Sequence, residues 1–151
     1  MKPLFVLLIA TLIAVTVYKL VNGTYNLPLA ASIGMSIMLL FTAMGHFMFT
    51  KGMAMMIPDF IPYKAALVYV TAFIELCGAI ALHISSFQKV TAWLLIFFFI
   101  MMLPANIYAA LKHVDYQNAT YTGNGLNYLW FRIPLQFVYI AWVYLSSITY
   151  H

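Results

Sequence analysis

The sequence predicts an all-α integral membrane protein, a compact bundle of four core transmembrane helices preceded by an N-terminal hydrophobic helix. Of its 151 residues, 66% are hydrophobic and 7% are charged, whereas about 25% of a soluble domain is charged. The mean hydropathy is +0.98. Five apolar segments, each near the roughly 20 residues that cross a bilayer as a helix, follow one another along the chain. The length suits one membrane domain, residues 1–151.

The first segment, residues 1–23, begins with Lys2 and stays apolar to Tyr18. Two interpretations are open. It is a short membrane helix whose Lys19 amine reaches the interface, or a signal peptide with a charged start and an apolar core. The membrane helix is favoured because the apolar run is close to spanning length and lacks the usual small-residue cleavage pattern. The other four segments would form the bundle, residues 28–148.

The second segment predicts a helix from about Pro28 to Phe49, with Asn26 as its cap. The connection that follows, residues 50–62, carries two prolines, which disfavour a continuous spanning helix. Its remaining residues are largely apolar. We expect this connection to lie at the membrane interface or to fold back as a lid.

Three more helices are predicted, two of them with an internal proline. A proline inside a helix removes one backbone N–H, so Pro104 and Pro134 should each free a carbonyl, and Pro104 should kink its helix. The three helices run from about Tyr63 to Ile84, from Val90 to Leu111 and from Tyr128 to Ser147.

The basic residues predict the orientation, because cytoplasmic loops carry the excess of Lys and Arg. One side collects Lys2, Lys51, Lys64, Lys112 and Arg132, and the other collects Lys19 and Lys89. The N-terminus is therefore expected in the cytoplasm and the C-terminus outside. The net charge of +4 includes no basic run, so nucleic acid is not expected as a partner. The expected partner is the lipid bilayer.

Familiar catalytic and metal patterns are missing from the sequence. The single cysteine, Cys77, excludes disulfides and cysteine metal sites within the chain. The sequence has no HExxH, no phosphate-binding glycine loop and no nucleophile elbow. His46 and His83 lie at opposite ends of their predicted helices, which disfavours a haem held between them. No metal site is predicted.

Glu75 is the most informative residue, because a carboxyl group deep in an apolar spanning segment is costly and marks a functional candidate. Small residues lie on the same helical face, one turn to either side, so this face can press against other helices. They are Thr71, Ala72, Gly78 and Ala79. Glu75 is therefore expected to face the bundle and not the lipid.

Five polar residues from four helices converge in the predicted cytoplasmic half. From the helical rise, His46 lies about 7 Å and Asn106 about 9 Å inside the membrane, and Glu75 lies about 16 Å inside, near the midplane. Arg132 and Gln136 are one turn apart on the last helix, and the long Arg132 side chain is expected to span part of the gap to Glu75. We predict a buried ligand-binding cavity lined by His46, Glu75, Asn106, Arg132 and Gln136.

Each of these residues also has a structural interpretation. Glu75 would fix two helices against each other, His46 would only pack, and Arg132 would reach for lipid phosphates. Asn106 and Gln136 would bond the carbonyls that the two prolines free. Four aromatic residues are expected in an interfacial belt: Tyr128, Trp130, Tyr144 and Tyr150.

An ordered set of short motifs resembles the DoxX-like membrane proteins of bacteria. The motifs are Gly45-His46-Phe47, Met56-Ile57-Pro58 with Ile61-Pro62, Val68-Tyr69 before Glu75 and Gly78, Pro104-Ala105-Asn106-Ile107-Tyr108, and Trp130-Phe131-Arg132-Ile133-Pro134-Leu135-Gln136. The resemblance implies a bacterial inner-membrane bundle, usually of four helices. It also implies an association with redox complexes such as thiosulfate:quinone oxidoreductase and terminal quinol oxidase systems. Glu75, Asn106 and Arg132 match the recurrent polar set of that family.

The favoured function is an accessory subunit of a redox complex that binds a quinone or a related isoprenoid. Arg132, His46 and Gln136 would hydrogen-bond a quinone oxygen, and Glu75 would supply or accept its proton. Two alternatives stay open. One is a structural or assembly partner without a ligand, and the other is a lipid-modifying enzyme with Glu75 as its acid or base.

Overall fold

The computed structural model describes residues 2–149, and every regular element in this range is helical. The helices are α1 (Lys2–Asn22), α2 (Leu27–Met48), α3 (Thr50–Ala54), α4 (Lys64–Ala81), α5 (Gln88–Leu111) and α6 (Leu126–Tyr144), followed by a π-helical turn, Leu145–Thr149. Five of them are long and apolar enough to cross a membrane, namely α1, α2, α4, α5 and α6 with its π-helical turn. The predicted all-helical architecture with five such helices is confirmed.

The ends of the helices follow from local chemistry. Asn26 caps α2, because its Oδ1 accepts a hydrogen bond from the Leu29 N–H at 3.1 Å. α5 continues through Pro104 as one helix. α4 ends three residues earlier than the predicted Ile84, since the chain turns at Leu82. The residue after Leu82, His83, places its Nε2 2.9 Å from the Ser36 hydroxyl.

α2 is the central helix of the bundle. It packs along α1 on one side and along α4 on another, while α5 packs along α6, and the π-helical turn returns to α2. Between these pairs lies one core of buried side chains. Its fully buried members on α2 are Met35, Met38 and Leu39. α4 and α5 touch each other much less, although they are consecutive spanning helices.

α1 is packed into the bundle at a close helix crossing. Leu7 is fully buried and belongs to the common core. Opposite it, Gly34 of α2 has no side chain, and a Cβ there would lie 1.9 Å from Thr11 Oγ1 and 3.0 Å from the Leu7 carbonyl oxygen. Only glycine permits this approach. The fold is therefore four helices plus a tightly docked fifth.

Two loops cover the end of the bundle where α2 and α5 finish. The linker, residues 49–63, contains α3 and meets the α5–α6 loop, residues 112–125, through the rings of Phe49 and Tyr116 at 6.0 Å. The linker also bonds the adjacent helices: the Asp59 carboxylate accepts from Lys64 Nζ at 2.7 Å and from the Tyr108 hydroxyl at 3.0 Å. The linker is therefore folded back and held in place.

Candidate functional site

Glu75 faces the interior of the bundle, as predicted. It is 5% exposed, and the buried residues of α4 lie on the same face. Small residues one turn away, Ala72 and Gly78, let the neighbouring helices approach, while Phe73 and Ile74 point outward. The helical spacing of small and large side chains therefore places the carboxyl group between helices.

His46 of α2 lies beside Glu75 without a hydrogen bond between the two side chains. Its Nδ1 lies 3.3 Å from Glu75 Oε2 and 2.9 Å from the carbonyl oxygen of Thr42. A carbonyl oxygen only accepts hydrogen bonds, so Nδ1 carries a hydrogen. In the neutral ring Nε2 is then the acceptor, with a lone pair that can take a proton. The pair joins a carboxyl group to a possible base inside the bundle.

Arg132 of α6 is held by α5 and does not form an ion pair with Glu75. Its Nε donates to Asn106 Oδ1 at 3.2 Å, and the Asn106 amide in turn donates to the Met102 carbonyl at 3.0 Å. Within residues 2–149 the basic and acidic side chains that lie within 4.0 Å of each other are His46 with Glu75 and Lys64 with Asp59. The expected direct reach of Arg132 to Glu75 is thus replaced by an Arg132–Asn106 bond that fixes the guanidinium.

The Arg132 charge nevertheless joins the cluster. Its guanidinium lies within electrostatic range of four ionisable side chains, those of His46, Glu75, Tyr128 and Tyr139. The guanidinium also lies over the Tyr128 ring, 5.7 Å from its centre. Four of the five predicted residues, all except Gln136, therefore form one neighbourhood built from α2, α4, α5 and α6.

Gln136 and Asn106 carry packing bonds as well. Gln136 Nε2 donates to the Phe99 carbonyl at 2.6 Å, which ties α6 to α5. That carbonyl is next to the one of Ile100, which loses its helical partner because Pro104 has no N–H. The structural interpretation is wrong for both amides. Gln136 bonds Phe99 of α5 and not the Trp130 carbonyl that Pro134 frees, and Asn106 bonds Met102 and not Ile100.

The cluster also contains two tyrosines that the sequence did not lead us to expect there. Tyr139 is 5% exposed, and Tyr128, expected in the interfacial belt, has a buried hydroxyl. Within residues 2–149, the buried side-chain polar atoms without a hydrogen bond are Glu75 Oε2, Tyr128 OH and Tyr139 OH. Each such atom costs about 1–3 kcal/mol. The helical spacing in the sequence could have indicated both tyrosines, since residues 128, 132, 136 and 139 share one face of α6.

Two other residues of the expected interfacial belt are not buried. Trp130 and Tyr144 are exposed on the outer surface, as expected. Tyr150 lies outside the described residues.

A second polar cluster at the opposite end of the bundle is structural. The Ser36 hydroxyl donates to the Ala79 carbonyl at 2.8 Å and also contacts His83 Nε2. Because its one hydrogen is used on the carbonyl, Ser36 is not arranged as a nucleophile activated by His83. Nearby, the Ser32 and Ser147 hydroxyls meet at 3.3 Å. These bonds fasten α4 and the π-helical turn to α2.

Two open grooves lie away from the polar cluster. One of about 640 Å³ runs along α1 and α2, and one of about 380 Å³ lies between α4 and α5. Both have apolar walls, and neither is lined by any of the five predicted residues. Arg132, at the edge of the polar cluster, is partly exposed.

The cluster can perform acid–base and hydrogen-bonding chemistry on an oxygen atom. It offers a carboxyl group, an imidazole with a free acceptor nitrogen, a fixed cation and two unpartnered hydroxyls. Residues 2–149 contain no group of three or more His, Cys, Asp or Glu positioned to hold a metal ion.

Comparison with known proteins gives one family. Neither the curated proteins nor the solved structures contain a match to the chain. The resemblance to DoxX-like proteins therefore stays a prediction. A family model matches residues 35–147, a range that includes the His46, Glu75, Asn106, Arg132 and Gln136 positions and omits α1. The match covers more than half of the 151 residues, and the chain belongs to the family described as a domain of unknown function (DUF8561).

Proposed function

We propose that the chain is a multi-pass protein of a bacterial inner membrane that binds the oxygen-bearing head of a lipid-soluble molecule. A quinone or a related isoprenoid is the ligand we favour. In this proposal the protein is a DoxX-like accessory subunit of a redox complex, because one chain offers no electron carrier of its own. Its N-terminus is in the cytoplasm and its C-terminus is outside.

Support for membrane insertion comes from the outer surface. Large apolar side chains are exposed along the spanning helices, for example Leu12, Phe73, Phe97 and Phe137, each more than half exposed. In water such a surface would drive aggregation. In lipid it is the expected solvent-facing side of a helical bundle.

Support for the orientation comes from the loops. Lys51, Lys64 and Lys112 lie at the end of the bundle covered by the linker and the α5–α6 loop. Lys89 lies at the other end, where α5 begins. The end richer in basic residues is the cytoplasmic one under the positive-inside rule.

The observation that carries the proposed binding function is the trio of buried, unpartnered polar atoms around Arg132. Glu75 Oε2, Tyr128 OH and Tyr139 OH are buried without a hydrogen bond, and the Arg132 guanidinium lies within electrostatic range of all three side chains. A protein that folds for packing alone gains nothing by burying three such groups together. The oxygen-bearing head of a bound molecule would bond those of the three that it reaches, with His46 and Glu75 exchanging its proton.

The experiment is to purify the chain in mild detergent and analyse an organic extract by mass spectrometry beside an ultraviolet–visible spectrum. Wild type, Glu75→Gln and Arg132→Gln would be compared with Asp59→Asn, which makes the same acid-to-amide change outside the cluster. We expect a stoichiometric quinone or isoprenoid in wild type and Asp59→Asn, and its loss in the other two. Equal amounts of bulk phospholipid alone in all four samples would refute the proposal.

A structural or assembly partner is the second candidate function, and one observation favours it. Gln136 and Asn106 already use their amide groups on backbone carbonyls of α5. If the whole cluster only locks helices together, it needs no ligand. The extract that lacks any stoichiometric small molecule would favour this candidate.

A further inference from the structure

The hydrogen-bond donors of α2 beside Glu75 are already in use. His46 Nδ1, 3.3 Å from Glu75 Oε2, gives its hydrogen to the Thr42 carbonyl oxygen at 2.9 Å. The Thr42 hydroxyl, which is within hydrogen-bonding range of the Glu75 carboxyl, donates to the Leu39 carbonyl oxygen at 3.0 Å. A hydroxyl has one hydrogen, and a carbonyl oxygen can only accept. Neither side chain therefore has a hydrogen left for Glu75.

The polar side chains of α5 and α6 do not replace these donors. Asn106 Nδ2 donates to the Met102 carbonyl, and Arg132 Nε donates to Asn106 Oδ1. Arg132 is within electrostatic range of Glu75 and favours its ionised form, but it is partly exposed and forms no ion pair with it. As a result, Glu75 Oε2 is buried without a hydrogen bond.

Few other ionisable side chains belong to the surroundings of Glu75. Lys51 of α3 is exposed, and the polar contribution of α5 is the uncharged Asn106. The ionisable members from α2 and α6 are His46, Arg132, Tyr128 and Tyr139. None of the four makes a hydrogen bond to the Glu75 carboxyl.

This arrangement suits a carboxylic acid better than a carboxylate. A carboxylate accepts up to about four hydrogen bonds, and burying one without donors is so costly that such a group keeps its proton instead. A protonated carboxyl has a hydrogen of its own to donate. The Thr42 hydroxyl oxygen has lone pairs that can accept it.

We propose that Glu75 holds its proton at neutral pH, beside a neutral His46, and is the acid of the cluster. Its use on a ligand rests on the proposed function: the O–H bond of Glu75 would break, its electron pair would stay on the carboxylate, and the proton would pass to an oxygen of the bound head group. The new carboxylate could then draw the His46 and Thr42 hydrogens away from the α2 carbonyls.

The sequence makes this protonation measurable, because Glu75 is its only glutamate. The full chain, labelled with ¹³C at the glutamate side-chain carboxyl and purified in detergent, should give one carboxyl resonance. Its chemical shift distinguishes the acid from the carboxylate and is followed against pH. Glu75→Gln confirms the assignment, and Asp59→Asn is the control outside the cluster.

At pH 7 we expect more than half of Glu75 to be protonated. A labelled short peptide with an ordinary glutamate pKa of about 4.3 should be protonated in only about one molecule in 500. Raising the pH should move the protein resonance to the carboxylate position. Asp59→Asn should follow wild type, and Glu75→Gln should lack the resonance.

The outcomes separate this inference from the proposed function. A wild-type resonance at the carboxylate position at pH 7 would overturn the inference and leave ligand binding, which the extract tests, standing. A protonated Glu75 in a protein that yields no stoichiometric quinone or isoprenoid would support the inference and refute the proposed function.

Discussion

At the scale of single residues, the side chains beside Glu75 determine the free-energy cost of burying its carboxyl group. His46 Nδ1 lies 3.3 Å from Glu75 Oε2 across the helix interface. Replacing one member of such a pair by an apolar residue leaves the other unsatisfied, whereas replacing both removes the problem. The pair can therefore be tested as a unit.

We predict that His46→Leu lowers the free energy of unfolding by about 1–3 kcal/mol, the cost of one unpaired buried polar group. The double variant His46→Leu, Glu75→Leu should be closer to wild type than His46→Leu is. Unfolding in detergent measures both. Additive losses in the double variant would show that the two side chains are independent.

At the scale of helices, the α1–α2 crossing depends on one glycine. A methyl group on Gly34 would collide with Thr11 Oγ1 at 1.9 Å and press on the Leu7 carbonyl. Gly45 on the same helix is different, since a Cβ there would meet only the end of Met53, at 3.8 Å. The two glycines give a test and its control.

We predict that Gly34→Ala separates α1 from α2 and lowers stability by about 1–3 kcal/mol, as overpacking usually does. Gly45→Ala should cause no loss, because alanine favours the helix and has room. Thermal unfolding and protease sensitivity of the loop at residues 23–26 measure the effect. A Gly34→Ala protein as stable and protease-resistant as Gly45→Ala would contradict the close crossing.

The linker is held by a carboxylate whose protonation can be controlled. The Lys64 amine, through its hydrogen bond, and then the Tyr108 hydroxyl lower the pKa of Asp59 below its usual 3.8. A lowered pKa means that the stabilisation is complete above about pH 3.8 and is lost as the pH falls through the lower, folded-state value.

At pH 7, Asp59→Asn should therefore raise hydrogen exchange in residues 55–63, because the Lys64 and Tyr108 contacts weaken. Tyr108→Phe, which removes one of the two contacts, should give a smaller rise. The difference between wild type and Asp59→Asn should vanish below the folded-state pKa. Equal exchange in both proteins at pH 7 would mean that Asp59 does not hold the linker.

At the scale of the whole molecule, the sequence predicted those features that follow from periodicity and composition. The five apolar helices, the Asn26 cap and the inward face of Glu75 all depend on spacing within one segment. Such spacing is visible in a sequence.

Features that depend on which helices meet were harder to predict. The sequence suggested that Arg132 approaches Glu75, but depth along two helices does not fix their distance, and Asn106 takes the guanidinium instead. Tyr139 was missed because tyrosine is common at membrane interfaces, although its spacing from Arg132 was visible. The seating of α1 through Gly34 depends on a contact between two segments.

The position of the lone cysteine allows the membrane and its orientation to be tested in one experiment. Cys77 is exposed on the outer apolar surface of α4, beside the groove shared with α5. In a protein surrounded by water, an exposed thiol reacts with a water-soluble maleimide. We predict no reaction in native membranes, because lipid covers this surface, and full reaction after solubilisation in SDS.

Single cysteines introduced in a Cys77→Ala background would then show which side of the membrane each loop faces. Thr24→Cys and Ser86→Cys lie in the exposed loops at the end poor in basic residues, and Gln117→Cys lies in the exposed α5–α6 loop at the other end. With the N-terminus in the cytoplasm, an impermeant maleimide added to intact cells should label the first two and leave Gln117→Cys unlabelled until the membrane is opened. The reverse pattern would invert the orientation, and it would place the Arg132 end of the bundle on the outer side. Labelling of native Cys77 in intact membranes would contradict insertion of α4 itself, whichever way the loops face.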